Sequence, residues 1–150
     1  MKKSQRLKVV VDLAVREEEK LGKVCLQRQQ ALAQGEAKHA QLQGYLSEYR
    51  QSSLTVNARV DLNRLQSTRA FLVKLDEAVQ MQAREVQRLE GLVQEANAAW
   101  MSARQRLQQL EKLVDGYRRE EQAAADRREQ KQLDELATQR YVRRLQNESA

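Results

Sequence analysis

The chain has 150 residues, a net charge of +6 and a hydrophobic share of 41%, with five glycines and no proline. One domain, residues 1–150, is expected at this length, and without proline little in it would interrupt a helix. The residues that dominate the sequence, Gln, Leu, Arg, Ala and Glu, favour helices. The composition therefore predicts an all-α protein with narrow apolar seams rather than a globular core.

Helix 1 is predicted over about residues 4–50, with an irregular apolar face. Gly22, Gly35 and Gly44 would each weaken it by roughly 1 kcal/mol relative to alanine, so we expect a packing partner to hold it. One heptad position holds Leu7, Ala14, Leu21, Leu42 and Tyr49; the companion position holds Val10, Val24, Ala31 and Tyr45; a flanking line holds Val11, Cys25, Leu32 and Leu46.

Helix 2 is predicted over about residues 62–117, after a turn at about 51–61 that is rich in Ser, Thr and Asn. A sustained heptad pattern over this helix is typical of a coiled coil. One seam position holds Leu65, Leu72, Val79, Val86, Val93, Trp100, Leu107 and Val114; the other holds Thr68, Leu75, Gln82, Leu89, Ala96, Ala103, Leu110 and Tyr117.

Two helices joined by a short connection pack antiparallel. We therefore predict a long antiparallel two-helix coiled coil, a helical hairpin, in which helix 2 overhangs helix 1. A turn near residue 56 would place residue i opposite residue 112 minus i, and the overhang would begin near residue 106. Residues 118–148 would form a charged extension with few apolar side chains.

Residues for catalysis or ligand binding are sparse. His39 is the only histidine and Cys25 the only cysteine, whereas metal sites need several ligands that converge. We expect no metal, no cofactor and no enzymatic activity. The sequence has no run of 18 apolar residues, so no membrane span is predicted. Neither basic end has the dense basic block or the stacking aromatic residues of a nucleic-acid binder.

Three of the six aromatic residues are predicted to gather near the turn. The hairpin register places Tyr45 opposite about residue 67 and Tyr49 opposite about residue 63, within about a turn of Phe71. These rings would either stiffen the hairpin or, for Phe71, which lies off the seam, form a patch for a partner. Exposed aromatic side chains often anchor interfaces.

Several motifs, taken in order, resemble the FliJ family of the bacterial flagellar type III export apparatus. They are RLKVVVDLAVREEEKL near the start, GYLSEYR at 44–50, the connection at 51–61, FLVKLDEAVQMQ at 71–82, Trp100 and the charged final helix. The resemblance covers nearly the whole chain and implies an antiparallel coil similar to the stalk subunit of rotary ATPases.

The resemblance also implies partners. The protein would sit in the hexameric export ATPase, link that ring to the transmembrane export gate protein, and assist the recycling of export chaperones. It would be cytoplasmic, peripherally associated with the inner membrane at the flagellar base, and monomeric by itself. No nucleic-acid partner is expected.

Two sets of site residues follow from the resemblance. By analogy with the stalk, the basic residues Arg6, Lys8 and Arg16 would meet the ATPase ring. The surface that would contact the linker of the export gate, called the gate patch below, comprises Leu42, Tyr45, Tyr49, Phe71, Leu75, Ala78 and Gln82.

Two alternatives remain open at this point. The chain is also compatible with a generic coiled-coil scaffold or the stalk protein of a related virulence type III secretion system. The second alternative is a parallel dimer built on the regular heptads of helix 2. In that dimer the apolar face of helix 1 would need a different cover.

Overall fold

The computed structural model describes residues 2–55 and 62–149. Two helices make up this part of the chain: α1 is Lys3–Thr55 and α2 is Leu62–Glu148. The first helix therefore continues about five residues beyond its predicted end, through residues expected to turn. Residues 56–61 of the predicted turn lie outside the described residues.

The two helices pack against each other in opposite directions. Near the start of α1, Glu18 contacts Trp100, whereas near its end Tyr49 contacts Phe71. Residue numbers thus fall along α2 as they rise along α1, which is the order of an antiparallel hairpin. The predicted all-α fold, a two-helix antiparallel coiled coil, is confirmed, with no strand among the described residues.

Contacts within the chain gather into two units. One contains Met1–Arg16 and Arg104–Ala150, and the other contains Glu17–Ala103. Each unit has its own packed stretch of α1 against α2. We call them the terminal unit and the central unit, after the parts of the sequence that they contain.

The predicted seam of α2 is confirmed over almost its whole length. Val79, Leu89 and Val114 are buried, and the other seam positions from Thr68 to Tyr117 are half-buried. Leu65, at the start of the pattern, is exposed. Regular apolar spacing was sufficient to identify this seam because few of its positions are polar.

The apolar face of α1 is wide, as predicted, and the flanking line is its most deeply buried part. On that line Cys25 is 3% exposed and Leu46 is also buried, whereas the companion position is half-buried at Val24 and Ala31 and exposed at Val10 and Tyr45. In sequence this line is interrupted by polar residues such as Glu18. Those residues are accommodated because they find polar partners on α2, as described below.

The predicted register is also wrong, by about ten residues. Cys25 would have faced residue 87, but its thiol donates a hydrogen bond to Asn97 Oδ1 at 2.6 Å. The longer α1 shifts every later pairing along α2 toward higher numbers. Residues of α2 accordingly remain half-buried as far as Ala124, so the overhang begins about 19 residues later than residue 106.

Two glycines of α1 lie where large side chains of α2 approach the helix closely. A Cβ added at Gly22 would lie 3.1 Å from Trp100 Nε1, and one added at Gly35 would lie 2.8 Å from Leu89 Cδ1. These glycines therefore form the holes that receive the indole and the leucine. Gly44, by contrast, has nothing within 4 Å of an added Cβ.

Replacing Gly44 with alanine should stabilise the hairpin by about 0.5–1 kcal/mol, because the helix gains propensity without steric cost. Gly35→Ala gains the same propensity but crowds Leu89, and overpacking costs about 1–3 kcal/mol. We expect Gly35→Ala to be the less stable of the two by about 1 kcal/mol or more in denaturant unfolding. Equal stability of the two variants would show that the contact at Gly35 is not tight.

Candidate partner-binding surface

The aromatic residues of the gate patch form a contact between the two helices of the central unit. The rings of Tyr49 and Phe71 meet edge to face, with centroids 4.9 Å apart and an interplanar angle of 63°. Both side chains nevertheless remain exposed, at 47% and 46%. An edge-to-face pair contributes about 0.5–1.5 kcal/mol beyond its buried area, so the two rings hold each other in place while still presenting apolar surface.

Tyr45 lies on α1 one turn before Tyr49 and is likewise exposed. Its hydroxyl accepts a hydrogen bond from Gln41 Nε2 at 3.0 Å, which fixes the ring along the helix surface. Exposed aromatic side chains at this spacing form one continuous apolar strip on the surface of α1.

The other four predicted members lie deeper. Leu42, Leu75, Ala78 and Gln82 are half-buried, and Leu75 and Gln82 are seam positions of α2. The amide of Gln82 donates a hydrogen bond to the backbone carbonyl of Gly35 at 3.1 Å. That amide is therefore engaged within the hairpin, and the exposed part of the patch is its aromatic part.

An ion pair that the predicted register did not place together lies beside the patch. Arg50 Nη2 lies 3.7 Å from Asp76 Oδ1, and both side chains are well exposed. The pair borders a shallow groove whose apolar floor includes Leu46 and Val79. An exposed pair of this kind contributes little to stability, but it gives the groove one positive and one negative edge. The correct register would have revealed it, because the two opposite charges then face each other.

Polar contacts within the seam of the central unit set its register. Trp100 Nε1 donates to Glu18 Oε1 at 2.9 Å, and Cys25 donates to Asn97. Sliding either helix by a turn would break both bonds and leave their buried polar groups without partners, which is costly. Cys25 is a buried free cysteine, as a small seam residue would be, and His39 is half-buried on the same line.

The terminal unit holds the basic residues predicted to meet the ATPase ring. Arg6, Lys8 and Arg16 are all exposed. Lys8 borders a shallow groove that also includes Glu111 and Asp115 of α2. The surroundings of Lys8 therefore carry both signs of charge.

The beginning of α1 is tied to α2 through a carboxylate. Ser4 donates from both its hydroxyl and its backbone N–H to Glu121, at 2.7 and 3.2 Å. The hydroxyl bond, together with the charges of Lys2 and Arg118, holds the pKa of Glu121 below its usual value. The ionised carboxylate thus favours the folded state at neutral pH, and this contribution is lost as the pH falls through the lowered pKa.

Other kinds of site find no support in the described part of the chain. Residues 2–55 and 62–149 contain no group of three His, Cys, Asp or Glu side chains placed to hold a metal ion. Neither helix, over its described residues, is long and apolar enough to cross a membrane. The grooves that described residues line are shallow and open, so these surfaces offer contacts to a macromolecule rather than an enclosed cavity.

Comparison with known protein families gives a match. The family described as "Flagellar FliJ protein" matches residues 2–146, which is nearly the entire chain. Neither the comparison with curated proteins nor that with solved structures gives a match. The family match spans both helices, including the aromatic pair and most of the region beyond Ala124.

Proposed function

The chain belongs to the FliJ family of flagellar type III protein export, and from this premise we propose that it is a non-enzymatic link between the export ATPase and the export gate. In this proposal the hairpin is a stalk-like adaptor. One surface binds the linker of the transmembrane gate protein and another binds the ATPase ring. The protein acts in the cytoplasm, held peripherally at the inner membrane beneath the flagellum.

The observation that supports gate binding most directly is the exposed aromatic pair. Tyr49 and Phe71 come from different helices, pack together and still expose nearly half of each side chain. A two-helix coil needs no exposed rings to be stable, since its seam is already filled by residues such as Val79 and Leu89. Fixed aromatic side chains on a surface are the usual anchors of protein interfaces.

The chemistry of the neighbouring groove fits a peptide linker. Its apolar floor accepts side chains, while Arg50 and Asp76 at its edge offer one cation and one anion to polar groups of the linker. A flexible segment that becomes ordered on such a surface gains contacts but loses conformational entropy. Because the rings of the aromatic pair are already positioned, only the partner loses conformational entropy on binding.

The proposed ATPase contact rests on charge and exposure alone. Arg6, Lys8 and Arg16 extend from α1 in the terminal unit, where they are free to approach acidic loops of a ring. Charged contacts of this kind accelerate association and weaken with salt. Recycling of export chaperones is a further proposed role, for which we assign no residues.

The ATPase role is tested by mixing the purified protein with the purified export ATPase. We expect the two to co-purify, the ATPase ring to assemble more readily and ATP hydrolysis to increase. Deletion of the protein should abolish swimming motility, and the intact chain should restore it. Normal motility in the deletion strain, with no effect on ring assembly or hydrolysis, would contradict the proposed function.

A further inference from the structure

The last part of α2 carries an apolar line that nothing in the described chain covers. Every residue from 125 to 149 is exposed, yet Leu133, Ala137, Tyr141 and Leu145 follow one another at intervals of four. Residues four apart lie on the same face of a helix. Tyr141 is 63% exposed, and the two leucines are exposed to about half their area.

This line is symmetric about Gln139. Leu133 and Leu145 lie six positions to either side of it, and Ala137 and Tyr141 lie two positions to either side. At 3.6 residues per turn all four side chains project from the side of the helix opposite Gln139. From either end, the face therefore begins and finishes with a leucine and has one small and one large residue between the two leucines.

The charges on this face are symmetric in position and opposite in sign. Asp134 and Arg144 lie five positions to either side of Gln139, and the helical repeat places both on the apolar face. A two-fold axis through the middle of this face would bring Asp134 of one helix against Arg144 of another. A self-complementary patch of this kind is what a two-fold symmetric interface requires.

We propose that this face binds a second copy of the chain, with the two α2 segments antiparallel and crossing at Gln139. Leu133 of each copy then packs on Leu145 of the other. Tyr141 lies over Ala137, where a shallow groove already exists between Ala137, Arg140, Tyr141 and Arg144. Asp134 pairs with Arg144 twice, once on each side of the axis.

A parallel arrangement fails on charge. It would place Asp134 against Asp134 and Arg144 against Arg144, and like charges that meet at an interface are unfavourable. It would also place Tyr141 against Tyr141 and Ala137 against Ala137, which pairs two large and then two small side chains. Only the antiparallel order matches both size and charge.

The pairing involves little surface. The apolar line spans four side chains on one helix face, so it buries less than the roughly 1,200 Å² of the smallest stable interfaces. The dimer is therefore weak and forms only at high concentration. The seams of the central and terminal units are covered within one chain, which is why a single chain is expected in dilute solution.

Sedimentation of the full chain, in reducing buffer and over two orders of magnitude in concentration, tests the proposal. We expect the mass of one chain at low concentration and a rise toward two at high concentration. Asp134→Arg places like charges together and should raise the dimer dissociation constant about tenfold or more. Combining it with Arg144→Asp should restore the dissociation constant to within about threefold of the original, because the opposite charges face each other again.

Glu135→Arg is the matched control. It makes the same change in charge one residue away, but Glu135 projects from the other side of the helix, so the dissociation constant should stay within about threefold. The mass of a single chain at every concentration would overturn the proposal. So would equal effects of Asp134→Arg and Glu135→Arg, or a double variant no better than Asp134→Arg.

Discussion

Replacing Leu89 with alanine should lower the free energy of unfolding by about 3 kcal/mol, because truncating a buried leucine leaves a cavity. Leu89 is only 9% exposed and its terminal methyl group fills the space beside Gly35. Neither helix has a neighbour that can move in from a second layer, so the cavity closes poorly. Chemical denaturation followed by far-ultraviolet circular dichroism measures the change.

Leu26→Ala is the matched control for this experiment. It removes the same atoms from α1, but Leu26 is 55% exposed, so we expect a loss of about 0.5 kcal/mol or less. If the two variants were destabilised equally, the seam described above would not be what holds the hairpin together.

Replacing Phe71 with alanine should reduce flagellar export and swimming severely while leaving the unfolding free energy much less affected than Leu89→Ala does. The ring is nearly half exposed, and it meets the ring of Tyr49 edge to face. Losing that pair costs about 0.5–1.5 kcal/mol. Losing an aromatic anchor of an interface costs about 2 kcal/mol or more of binding energy.

Met81→Ala provides the functional control. Met81 is a large apolar residue of the same helix and is even more exposed, but it is not part of the gate patch. Export and swimming should be normal in this variant. Should Phe71→Ala instead destabilise the protein as much as Leu89→Ala, the ring would be part of the core and the gate patch would lose its aromatic centre.

The fold was predictable from sequence because α2 repeats its pattern without ambiguity. Its seam positions are apolar from Leu72 to Val114 with few exceptions, and the lack of proline allowed a helix of 87 residues. A regular apolar stripe of this length needs a partner helix, and the turn predicted near residue 56 made helix 1 that partner. Helix number, direction and the presence of an overhang all follow from these features.

Apolar spacing identified the wide apolar face of α1 but not all of the residues that it buries. The buried face also includes Ser4, half-buried Glu18 and Gly35, which a search for apolar residues reads as interruptions. Each fits for a reason that depends on α2: Ser4 and Glu18 have hydrogen-bond partners there, and the glycine receives a leucine. Such pairings become visible only when both helices are placed together.

The error in register affected the gate patch in a specific way. The sequence placed Tyr49 opposite about residue 63, whereas the structure places its ring against Phe71. The same shift brings Gln82 to the backbone of Gly35 and Arg50 to Asp76. Spacing along each helix identified which aromatic residues share a zone, but only the packing of the seam determines which of them touch.

The most direct test of the account is the affinity of the purified chain for the cytoplasmic linker of the export gate protein, measured by titration calorimetry. We predict that the intact chain binds, that Phe71→Ala and Tyr49→Ala each weaken binding by about 30-fold or more, and that Met81→Ala binds normally. Undiminished binding by Phe71→Ala and Tyr49→Ala would contradict the assignment of the aromatic pair as the gate-binding surface.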